Sequence, residues 1–570
     1  MQYATALLLN VLALASSVSA NPRRHSAKLG AVASECAVCS RIGTDILTAG
    51  GGNAADAIVA TQLCVGVIAM YHSGVGGGGF ATVRSEDGKY ERLPRLPFVD
   101  FRETAPAAAF QDMYKAQTNL SLYGGLASAV PGELRGLEYI HQKYGSIPWK
   151  KLVQPSIKLA RFGFAVTPDL VSYMGSSTFM VTDPTWAIDF APNGTRLGLG
   201  DTMTRKRYAD MLETVAKEGP NAFYYGAQAA ATIQALQADQ GTMSVADLAN
   251  YTVVSRAVAN ITYRGFKINT GTAPSGGSVM SSIMKIIEGY DMSSPSRINE
   301  STHYLNEAMR FAYGQRTQLG DPAFFANLTA YQEGMYSDET AALVRSMIMP
   351  NVTLDVAAYN PNGYQILSDD GTSATVSADK SGLTIAMTST INTIFGSRLM
   401  VPETGVIMNN EMNDFSIPNT TNAFGYIPTE ANFIRPFKRP LSSIAPTIVE
   451  HPNGEVYICH ASAGGSRIIT EVAQHLWHTL DQNMTSAQAL AQPRMHDQLS
   501  PNVASFEYGS DRYGLAGYSN QTTAYIASTG AAINFVAVGG STAQALRLLP
   551  NGTFEAAGEP RQLNSAGYAV

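Results

Sequence analysis

Residues 370–392 read DGTSATVSADKSGLTIAMTSTIN, and this stretch decides the fold class. Apolar and small polar side chains alternate over residues 375–378 and 383–391, which is the period of two that half-buried strands show. The four residues DKSG at 379–382 lie between these two runs and predict a tight turn. The sequence therefore predicts a β-hairpin with at least one buried face.

The register of this hairpin brings two threonines together. If residues 378 and 383 are paired across a four-residue loop, Thr372 lies opposite Ser389, and Thr390 lies beside it. The hairpin therefore predicts that Thr372 and Thr390 are neighbours.

The junction between Gly371 and Thr372 yields a nucleophile if the chain is cut there. A threonine hydroxyl attacks poorly unless a base takes its proton, and a free α-amino group with a pKa of roughly 7.7–8.0 is such a base. Gly371 has no side chain, so the Thr372 hydroxyl can approach its carbonyl group. Residues 358–372 are predicted to be a long exposed linker, the kind of segment in which chains are cleaved.

Helical patterns and one glycine-rich segment precede the hairpin. Residues 40–68 predict a helical region in which Asn53 caps an alanine-rich stretch. The segment 73–80 (SGVGGGGF) has the glycine spacing of a dinucleotide fingerprint, but it follows a helix, so close backbone approach is the better interpretation. Further helices are predicted at 133–144, 244–250, 278–289 and 301–315.

Composition and the N-terminus favour a secreted globular protein. The 570 residues are 45% hydrophobic and 15% charged, and a formal charge of -6 gives no basic surface for nucleic acid. Residues 5–18 are apolar and Val18-Ser19-Ala20 offers small residues for cleavage, so residues 1–20 are predicted to be a signal peptide. The alternative is an uncleaved membrane anchor, although the run is shorter than the ~20 residues that a span needs. No later segment predicts a span.

Glycosylation acceptors and cysteines agree with an oxidising compartment. Four cysteines allow several pairings, and spacing alone does not choose among them. The N-x-Ser/Thr acceptors predicted to carry glycans are Asn119, Asn193, Asn250, Asn260, Asn299, Asn327, Asn351, Asn419, Asn483, Asn520 and Asn551.

Long motifs occur in a fixed order along almost the whole chain. They are GGGNAADA (50–57), SGVGGGGF (73–80), DFRETAP (100–106), SAVPGELRG (128–136), GDPAFF (320–325), DGTS (370–373), STINTIFGS (389–397), TGVIMNNEMNDFSIP (404–418), ANFIRPFKRPLSS (431–443), SAGGSRI (462–468) and a C-terminal AGY. Together they resemble the gamma-glutamyltransferase family. The resemblance implies an α/β fold, a four-layer αββα sandwich of the N-terminal-nucleophile hydrolase type. It also implies a heterodimer of a large subunit (21–371) and a small catalytic subunit (372–570).

The resemblance assigns roles residue by residue. Thr372 resembles the nucleophile that the cut liberates, and Thr390 resembles its hydrogen-bonding partner, in agreement with the hairpin register. Arg102 resembles the clamp on the α-carboxylate of the donor, with Ser442 and Ser443 assisting. A guanidinium suits this role because it binds a carboxylate with two parallel hydrogen bonds.

Five further residues complete the implied site. Asn392, Glu411 and Asp414 resemble the residues that hold the α-amino end of the donor. Gly464 and Gly465 resemble the oxyanion-hole pair, where backbone N–H groups face the developing charge.

The implied reaction is acyl transfer through a threonyl ester. The γ-glutamyl group of glutathione or a conjugate passes to the threonine and then to water, an amino acid or a peptide acceptor, with no metal or organic cofactor.

Other positions match or depart from the family. Cys39 and Cys64 match a family disulfide, and residues 415–438 match the segment that covers the site. Ala374 and Val376 stand where the family has histidine and serine. Because both catalytic threonines remain, processing is still expected.

Four alternative functions make different demands on the sequence. A classical serine hydrolase lacks its Gly-x-Ser-x-Gly elbow. A metalloenzyme would need more than His475 and His478, which are interpreted as surface residues on a helix. A related acylase that acts on glutaryl or penicillin-like amides is disfavoured, because a glutaryl group has no ammonium for Glu411 and Asp414 to bind. A catalytically impaired secreted glycoprotein on the same fold is the last alternative, and Ala374 and Val376 are its best support.

Overall fold

The computed structural model describes residues 27–86, 97–175, 177–359, 371–418 and 428–570. The predicted signal peptide, residues 360–370 of the predicted linker and Asn419 lie outside the described residues. Within the described ranges, no helix combines the length and the apolar character that a membrane crossing requires.

Strands and helices are numbered here in chain order. The strands are Gly30–Ser34 (β1), Gly78–Arg84 (β2), Phe98–Phe101 (β3), Phe164–Ala165 (β4), Thr202–Met203 (β5), Val254–Arg256 (β6), Ala259–Tyr263 (β7), Phe266–Thr270 (β8), Gly371–Asp379 (β9), Thr384–Asn392 (β10), Thr447–Glu450 (β11), Val456–Ala463 (β12), Met495–His496 (β13), Ala504–Glu507 (β14), Ile533–Val536 (β15), Thr542–Leu548 (β16), Phe554–Ala557 (β17) and Ala566–Ala569 (β18). The α-helices are Ala37–Thr48 (α1), Ala54–Ile68 (α2), Glu133–Tyr144 (α3), Trp149–Phe162 (α4), Pro168–Met174 (α5), Phe179–Thr182 (α6), Pro184–Phe190 (α7), Lys206–Glu218 (α8), Asn221–Tyr224 (α9), Gly226–Ala238 (α10), Val245–Asn250 (α11), Gly277–Ile287 (α12), Ile298–Arg316 (α13), Leu328–Met335 (α14), Asp338–Met347 (α15), Val356–Tyr359 (α16), Arg467–Leu480 (α17), Ser486–Ala491 (α18) and Asn520–Ser528 (α19).

Two antiparallel sheets lie at the centre of the molecule. The first has the strand order β18-β1-β9-β10-β2-β3-β6, and the second has the order β17-β16-β12-β11-β8-β7. Small and aliphatic side chains from both sheets fill the space between them. Helices α1, α2 and α3 pack on the first sheet, and α12 and α17 pack on the second. This is the predicted αββα sandwich.

The predicted hairpin is present as β9 and β10, but its register is shifted by one residue. Thr372 pairs directly with Thr390, so the predicted pairing of Thr372 with Ser389 is wrong. The turn explains the shift, because the N–H of Asp379 donates to the carbonyl of Leu383 at 3.0 Å and leaves a three-residue loop. Gly382 closes this loop with a φ of +88°. A three-residue loop of this kind favours a glycine in the left-handed region.

The helices that the sequence predicted are present, with one difference in detail. The predicted region 40–68 is two helices, α1 and α2, separated by a glycine-rich turn. The Asn53 side chain caps α2 by accepting from the N–H groups of Ala55 and Asp56 at 3.0 and 3.1 Å. The other four predicted helices are confirmed as α3, α11, α12 and α13.

The glycine-rich segment is a site of close backbone approach, as interpreted. A Cβ atom on Gly76 would lie 2.1 Å from the carbonyl oxygen of Ile407. A Cβ atom on Gly77 would lie 1.9 Å from the carbonyl oxygen of Thr390. Side chains at these positions would therefore push the loop away from Ile407 and from the hairpin.

One disulfide joins the first two helices. Cys39 and Cys64 are bonded at 2.02 Å, which confirms the pairing that the resemblance implied. Cys36 and Cys459 are buried free thiols, and burial raises the pKa of both. Neither thiol therefore has the character of a reactive thiolate.

Candidate active site

The two predicted catalytic threonines face each other across the hairpin. Their hydroxyl oxygens lie 3.4 Å apart, and only 2% of Thr372 is exposed. The hydroxyl of Thr390 donates to the carbonyl oxygen of Gly371 at 2.7 Å and accepts from the N–H of Asn392 at 2.8 Å. The bond between Gly371 and Thr372 is thus in a buried strand, so the prediction that this end of the linker is exposed is wrong.

Position 371 has no room for a side chain. A Cβ atom on Gly371 would lie 2.4 Å from the carbonyl carbon of Thr393 and 2.5 Å from the carbonyl oxygen of Asn392. The ladder is irregular here, because Asn392 pairs with Gly371 after a bulge that follows Thr390. Asn392 itself has a φ of +72°. The bulge thus presses the opposite strand against the peptide that precedes Thr372.

The predicted donor clamp is a buried ion cluster. Arg102 follows β3 and is completely buried. Its Nη1 donates to Oε1 of Glu411, its Nη2 donates to Oδ2 of Asp414, and its Nε donates to the carbonyl of Pro440 at 3.4 Å. The predicted carboxylate clamp and the predicted ammonium-binding acids are therefore bound to one another. A zwitterionic head group could replace these contacts charge for charge.

Asn392 and the serine pair are also buried. The Nδ2 of Asn392 donates to the carbonyl of Asn410 at 2.9 Å, whereas its buried Oδ1 has no hydrogen-bond partner among the described residues. Ser442 and Ser443 are buried, and the Ser443 hydroxyl accepts from Arg316 at 3.0 Å. Asn392 therefore offers an acceptor that a ligand ammonium could satisfy.

The glycine pair forms a left-handed turn at the end of β12. Gly464 and Gly465 have φ values of +118° and +61° and connect β12 to α17. Thr388, on the same strand and face as Thr390, donates to the carbonyl of Ser462 at 3.0 Å. Thr388 lies two residues before Thr390, and Ser462 lies two residues before Gly464. This hydrogen bond therefore brings the start of the glycine turn towards the pair of Thr372 and Thr390.

The two departures from the family lie between the sheets. Ala374 is 2% exposed and Val376 is fully buried, and both belong to the apolar cluster that also contains Ala461 and Ala463. Since side chains alternate along a strand, Ala374 and Val376 lie on the same face as Thr372. Apolar residues at 374 and 376 therefore match the apolar layer that surrounds them.

Two buried carboxylates beside the site were missed by the sequence analysis. Burial raises the pKa of Glu103 from 4.5 to about 8, against the opposing charge of Arg102 3.9 Å away, and neither of its oxygens has a hydrogen-bond partner among the described residues. Burial also raises the pKa of Glu133 to about 7, although Ser389 and Gln62 donate to it. Both residues stand inside quoted motifs, DFRETAP and SAVPGELRG, which was the available signal.

The histidines of α17 are buried, so their interpretation as surface residues is wrong. His475 and His478 are 1% and 6% exposed, and His475 groups with His460 and Glu471. His460 and Glu471 are hydrogen-bonded at 2.8 Å, and the rings of His460 and His475 stack 4.0 Å apart at 12°. Two imidazoles in parallel planes do not direct their in-plane lone pairs at one ion. The arrangement therefore gives no support to a shared metal.

Comparisons with known proteins agree on one family. The family model described as Gamma-glutamyltranspeptidase matches residues 39–569. A Glutathione hydrolase proenzyme of Arthroderma benhamiae is 50% identical over 96% of this chain and 94% of its own length. A Glutathione hydrolase of Aspergillus flavus is 44% identical over 95% of this chain and 90% of its own length.

One solved structure supports the architecture independently. The cephalosporin acylase from Bacillus halodurans superposes with a TM-score of 0.80, covering 95% of this chain and 96% of the acylase. Its sequence is only 24% identical, so this likeness bears on the fold alone.

Proposed function

This chain belongs to the gamma-glutamyltranspeptidase family and is a glutathione hydrolase, and we propose that Thr372, once cleaved from Gly371, carries its reaction. The observation that carries this assignment is the hairpin pairing of Thr372 with Thr390, whose hydroxyl donates to the Gly371 carbonyl at 2.7 Å. The contact lies at the only bond whose cleavage would free the Thr372 amine.

The first step is self-cleavage. The Thr372 hydroxyl attacks the Gly371 carbonyl carbon, the C–N bond breaks, and an ester joins the two residues while the Thr372 nitrogen takes a proton. Water then hydrolyses the ester and leaves a carboxylate on Gly371 and a free amine on Thr372. The donor hydroxyl of Thr390 stabilises the charge that develops on the carbonyl oxygen.

The donor head group then binds at the buried ion cluster. Its α-carboxylate binds the guanidinium of Arg102. Its α-ammonium donates hydrogen bonds to Glu411, Asp414 and the free Oδ1 of Asn392. Because the incoming zwitterion supplies one charge of each sign, no buried charge is left unpaired after the exchange. A donor without an ammonium would leave the two acids without a cation. This chemistry favours a γ-glutamyl group over a glutaryl group.

Acyl transfer follows at the same threonine. The α-amine takes the hydroxyl proton as Thr372 attacks the γ-carbonyl, and the N–H groups of Gly464 and Gly465 receive the oxyanion. The amine leaving group takes the proton, and a glutamyl ester remains on Thr372. Water or the amino group of an acceptor then breaks the ester and returns the proton to the threonine.

We also propose the processing and compartment that the sequence predicts. Residues 1–20 would be removed as a signal peptide, and residues 21–371 and 372–570 would remain together as large and small subunits. Strands from both parts alternate in the first sheet, since β1 and β2 flank β9 and β10, so the cut ends would be held in one core. Secretion, and N-glycans at the exposed acceptors among those predicted, complete this proposal.

The proposal is tested with the full chain and two threonine variants. Wild type should give two bands on denaturing electrophoresis after deglycosylation, with Thr372 at a new N-terminus, and should release anilide much faster from γ-glutamyl anilide than from glutaryl anilide. Thr372→Ser should still be cleaved, and Thr372→Ala should stay intact and inactive. Active wild-type protein without a chain start at Thr372 would refute the mechanism, and equal use of glutaryl anilide would refute the donor assignment.

A further inference from the structure

Ser466 directly follows the glycine turn and starts α17, but it does not behave as an ordinary helix cap. A serine at this position usually accepts from an N–H of the first turn, and Ser466 makes no such bond. Its hydroxyl donates instead to Oε1 of Gln498 at 2.5 Å. Its carbonyl oxygen accepts from the hydroxyl of Tyr313. Both polar groups of Ser466 are therefore held by residues outside the helix.

Gln498 is held in turn by hydrogen bonds, some of which lead back to α17. Its Oε1 lies 2.9 Å from Nε2 of His496, and its Nε2 donates to the carbonyl of Ser500 at 2.9 Å. His496 Nδ1 lies 2.9 Å from the hydroxyl of Thr470, which brings the network back to α17. Ser466, Thr470, His496 and Gln498 are at most 7% exposed.

The direction of this network at His496 is set by Oε1 of Gln498, which can only accept a hydrogen bond. Burial lowers the pKa of His496 to about 3, so the ring is neutral at physiological pH. A neutral ring donates from one nitrogen only. With Nε2–H donating to Gln498, the Gln498 oxygen receives two hydrogen bonds, one from His496 and one from Ser466. The side-chain oxygen of Gln498 is thus the acceptor that orients the Ser466 hydroxyl.

The glycine turn needs such a restraint. Gly464 is held on one side, because a Cβ atom there would lie 2.4 Å from the carbonyl oxygen of Gly540. Gly465 has no side chain, and glycine has the widest choice of backbone conformations. Donors that stabilise an oxyanion must be fixed to within ~0.5 Å of the productive geometry. The first side chain that can hold the C-terminal side of the turn is that of Ser466.

We propose that Gln498 is a positioning residue for the oxyanion turn, acting through the Ser466 hydroxyl. The inference rests on the proposed role of Gly464 and Gly465, and adds a support that neither the motifs nor the family comparison assigned. Gln498 does not touch the reacting atoms. Its loss should lower kcat, because the turn samples other conformations, and should leave KM unchanged, because the donor head group binds at Arg102.

A matched glutamine separates positioning from general stability. Gln474 is also buried, lies on α17 and binds the same segment, with Oε1 accepting from the Met495 N–H and Nε2 donating to the Met495 carbonyl, both at 2.9 Å. Its hydrogen bonds are to the backbone of Met495 and Thr470, not to Ser466. Gln474→Ala should therefore reduce stability by a similar amount without disturbing the glycine turn.

The experiment compares Gln498→Ala, Gln474→Ala, Ser466→Ala and the Ser466→Ala/Gln498→Ala double variant. For each we would measure kcat and KM with γ-glutamyl anilide, per mole of cleaved chain, and the midpoint of urea unfolding. Gln498→Ala and Ser466→Ala should each lower kcat about tenfold, less than the ~10²–10³-fold cost of losing an oxyanion donor. The double variant should be no slower than either single variant, and Gln474→Ala should keep kcat within about twofold.

Two outcomes would overturn the inference. Either Gln498→Ala and Gln474→Ala lose kcat in proportion to stability, or the effects of Ser466→Ala and Gln498→Ala multiply. If Gln498→Ala does not accumulate, the comparison of Ser466→Ala with Gln474→Ala decides in the same way. Wild-type protein that is cleaved yet inactive on γ-glutamyl anilide would instead reject the proposed function, so the two failures are distinguishable.

Discussion

The hydroxyl of Thr390 lies 2.7 Å from the carbonyl oxygen of Gly371, directly across the hairpin from the bond that precedes Thr372. A hydrogen-bond donor at this position is complementary to the charge that appears when the carbonyl is attacked. The register of β9 and β10 thus brings the nucleophile and an electrophilic donor to the same carbonyl before any substrate is present.

Thr390→Val should block self-cleavage. The substitution keeps the β-branched shape and removes the donor, so the rate of cleavage should fall by about 10²-fold. Thr390→Ser should retain cleavage. The fraction of cleaved chain, followed over time on denaturing gels, measures the effect.

Thr388→Val is the matched control for this prediction. Thr388 is buried on the same strand, and its hydroxyl donates to the Ser462 carbonyl at 3.0 Å instead of to the scissile group. Its loss should cost ~1–3 kcal/mol of unfolding free energy and leave cleavage intact. Equal cleavage in wild type and Thr390→Val would remove the assigned role of Thr390.

Gly371→Ala should also prevent cleavage, for a steric reason. The new Cβ atom would lie 2.4 Å from the Thr393 carbonyl carbon, so β9 must move away from β10. The separation of Thr372 from Thr390 would then exceed hydrogen-bond reach. Gly454→Ala is the control, because Gly454 has a φ of +89° with no atom within 4 Å, and it should cost about 1 kcal/mol without affecting cleavage. Rapid cleavage of Gly371→Ala would show that the strands tolerate the displacement.

The sequence predicted the hairpin and its threonine neighbours, but the predicted loop of four residues was one residue too long. The period of two in 375–378 and 383–391 is a local property, so it identified both strands. The register depends on which residue of the turn adopts a left-handed backbone, and the DKSG tetrapeptide allows more than one choice. Gly382 at φ +88° made the difference, and it placed Thr372 opposite Thr390 instead of Ser389.

Buried charge was the property that local patterns could not show. Arg102, Glu411 and Asp414 were identified singly from motifs, yet their direct contact depends on chain segments about 310 residues apart. The helical spacing of His475 and His478 predicted surface positions, whereas both are buried and His475 stacks on His460 of β12. Long-range packing decides such burial, and no window of the sequence contains it.

The exchange of charges at Arg102 predicts opposite effects on two substrates. Glu411→Gln removes one anion from the cluster, so KM for γ-glutamyl anilide should rise about tenfold or more, given ~1.5–3 kcal/mol for a hydrogen bond to a charged group. Hydrolysis of glutaryl anilide should be unchanged or faster, since that donor has no ammonium to lose. Initial rates with both anilides give the ratio of γ-glutamyl to glutaryl hydrolysis for wild type and for Glu411→Gln. A parallel loss on both substrates would show that Glu411 acts on the fold and not on the ammonium.

Glycan occupancy should distinguish Asn299 from the other acceptors. Among the ten acceptors in the described ranges, nine are exposed, whereas Asn299 is half-buried and its Oδ1 accepts from the Thr522 hydroxyl at 2.8 Å. Oligosaccharide transfer joins the glycan to the side-chain nitrogen and needs that atom accessible, so the half-buried Asn299 should remain unmodified in secreted protein that carries glycans at sites such as Asn193 and Asn551. Peptide mass spectrometry after enzymatic deglycosylation in heavy-oxygen water gives the occupancy. Full occupancy at Asn299 would mean that the glycan is added before this contact forms.

Glu103 predicts a stability that depends on pH in an unusual direction. Its pKa is raised from 4.5 to about 8 in the folded protein by burial, so between these values the folded state binds a proton that the unfolded state releases. Stability contributed at this site is therefore complete below pH ~4.5 and declines as pH rises towards 8. Glu103→Gln, which is neutral at every pH, should match wild type near pH 5 and exceed it increasingly up to pH 9.

Glu471→Gln is the control of opposite sign for this last prediction. Burial opposes ionisation of Glu471, but the positive charges of His460 and Arg494 outweigh it and lower the pKa of Glu471 to about 2. Its contribution is present above pH ~4.5 and is lost only as the pH falls towards 2, so Glu471→Gln should be less stable than wild type throughout pH 5–9. Urea unfolding midpoints at each pH measure both variants. If the Glu103→Gln difference stayed constant from pH 5 to 9, Glu103 would already be ionised at pH 5, and a substrate entering the site would meet a third anion beside Glu411 and Asp414.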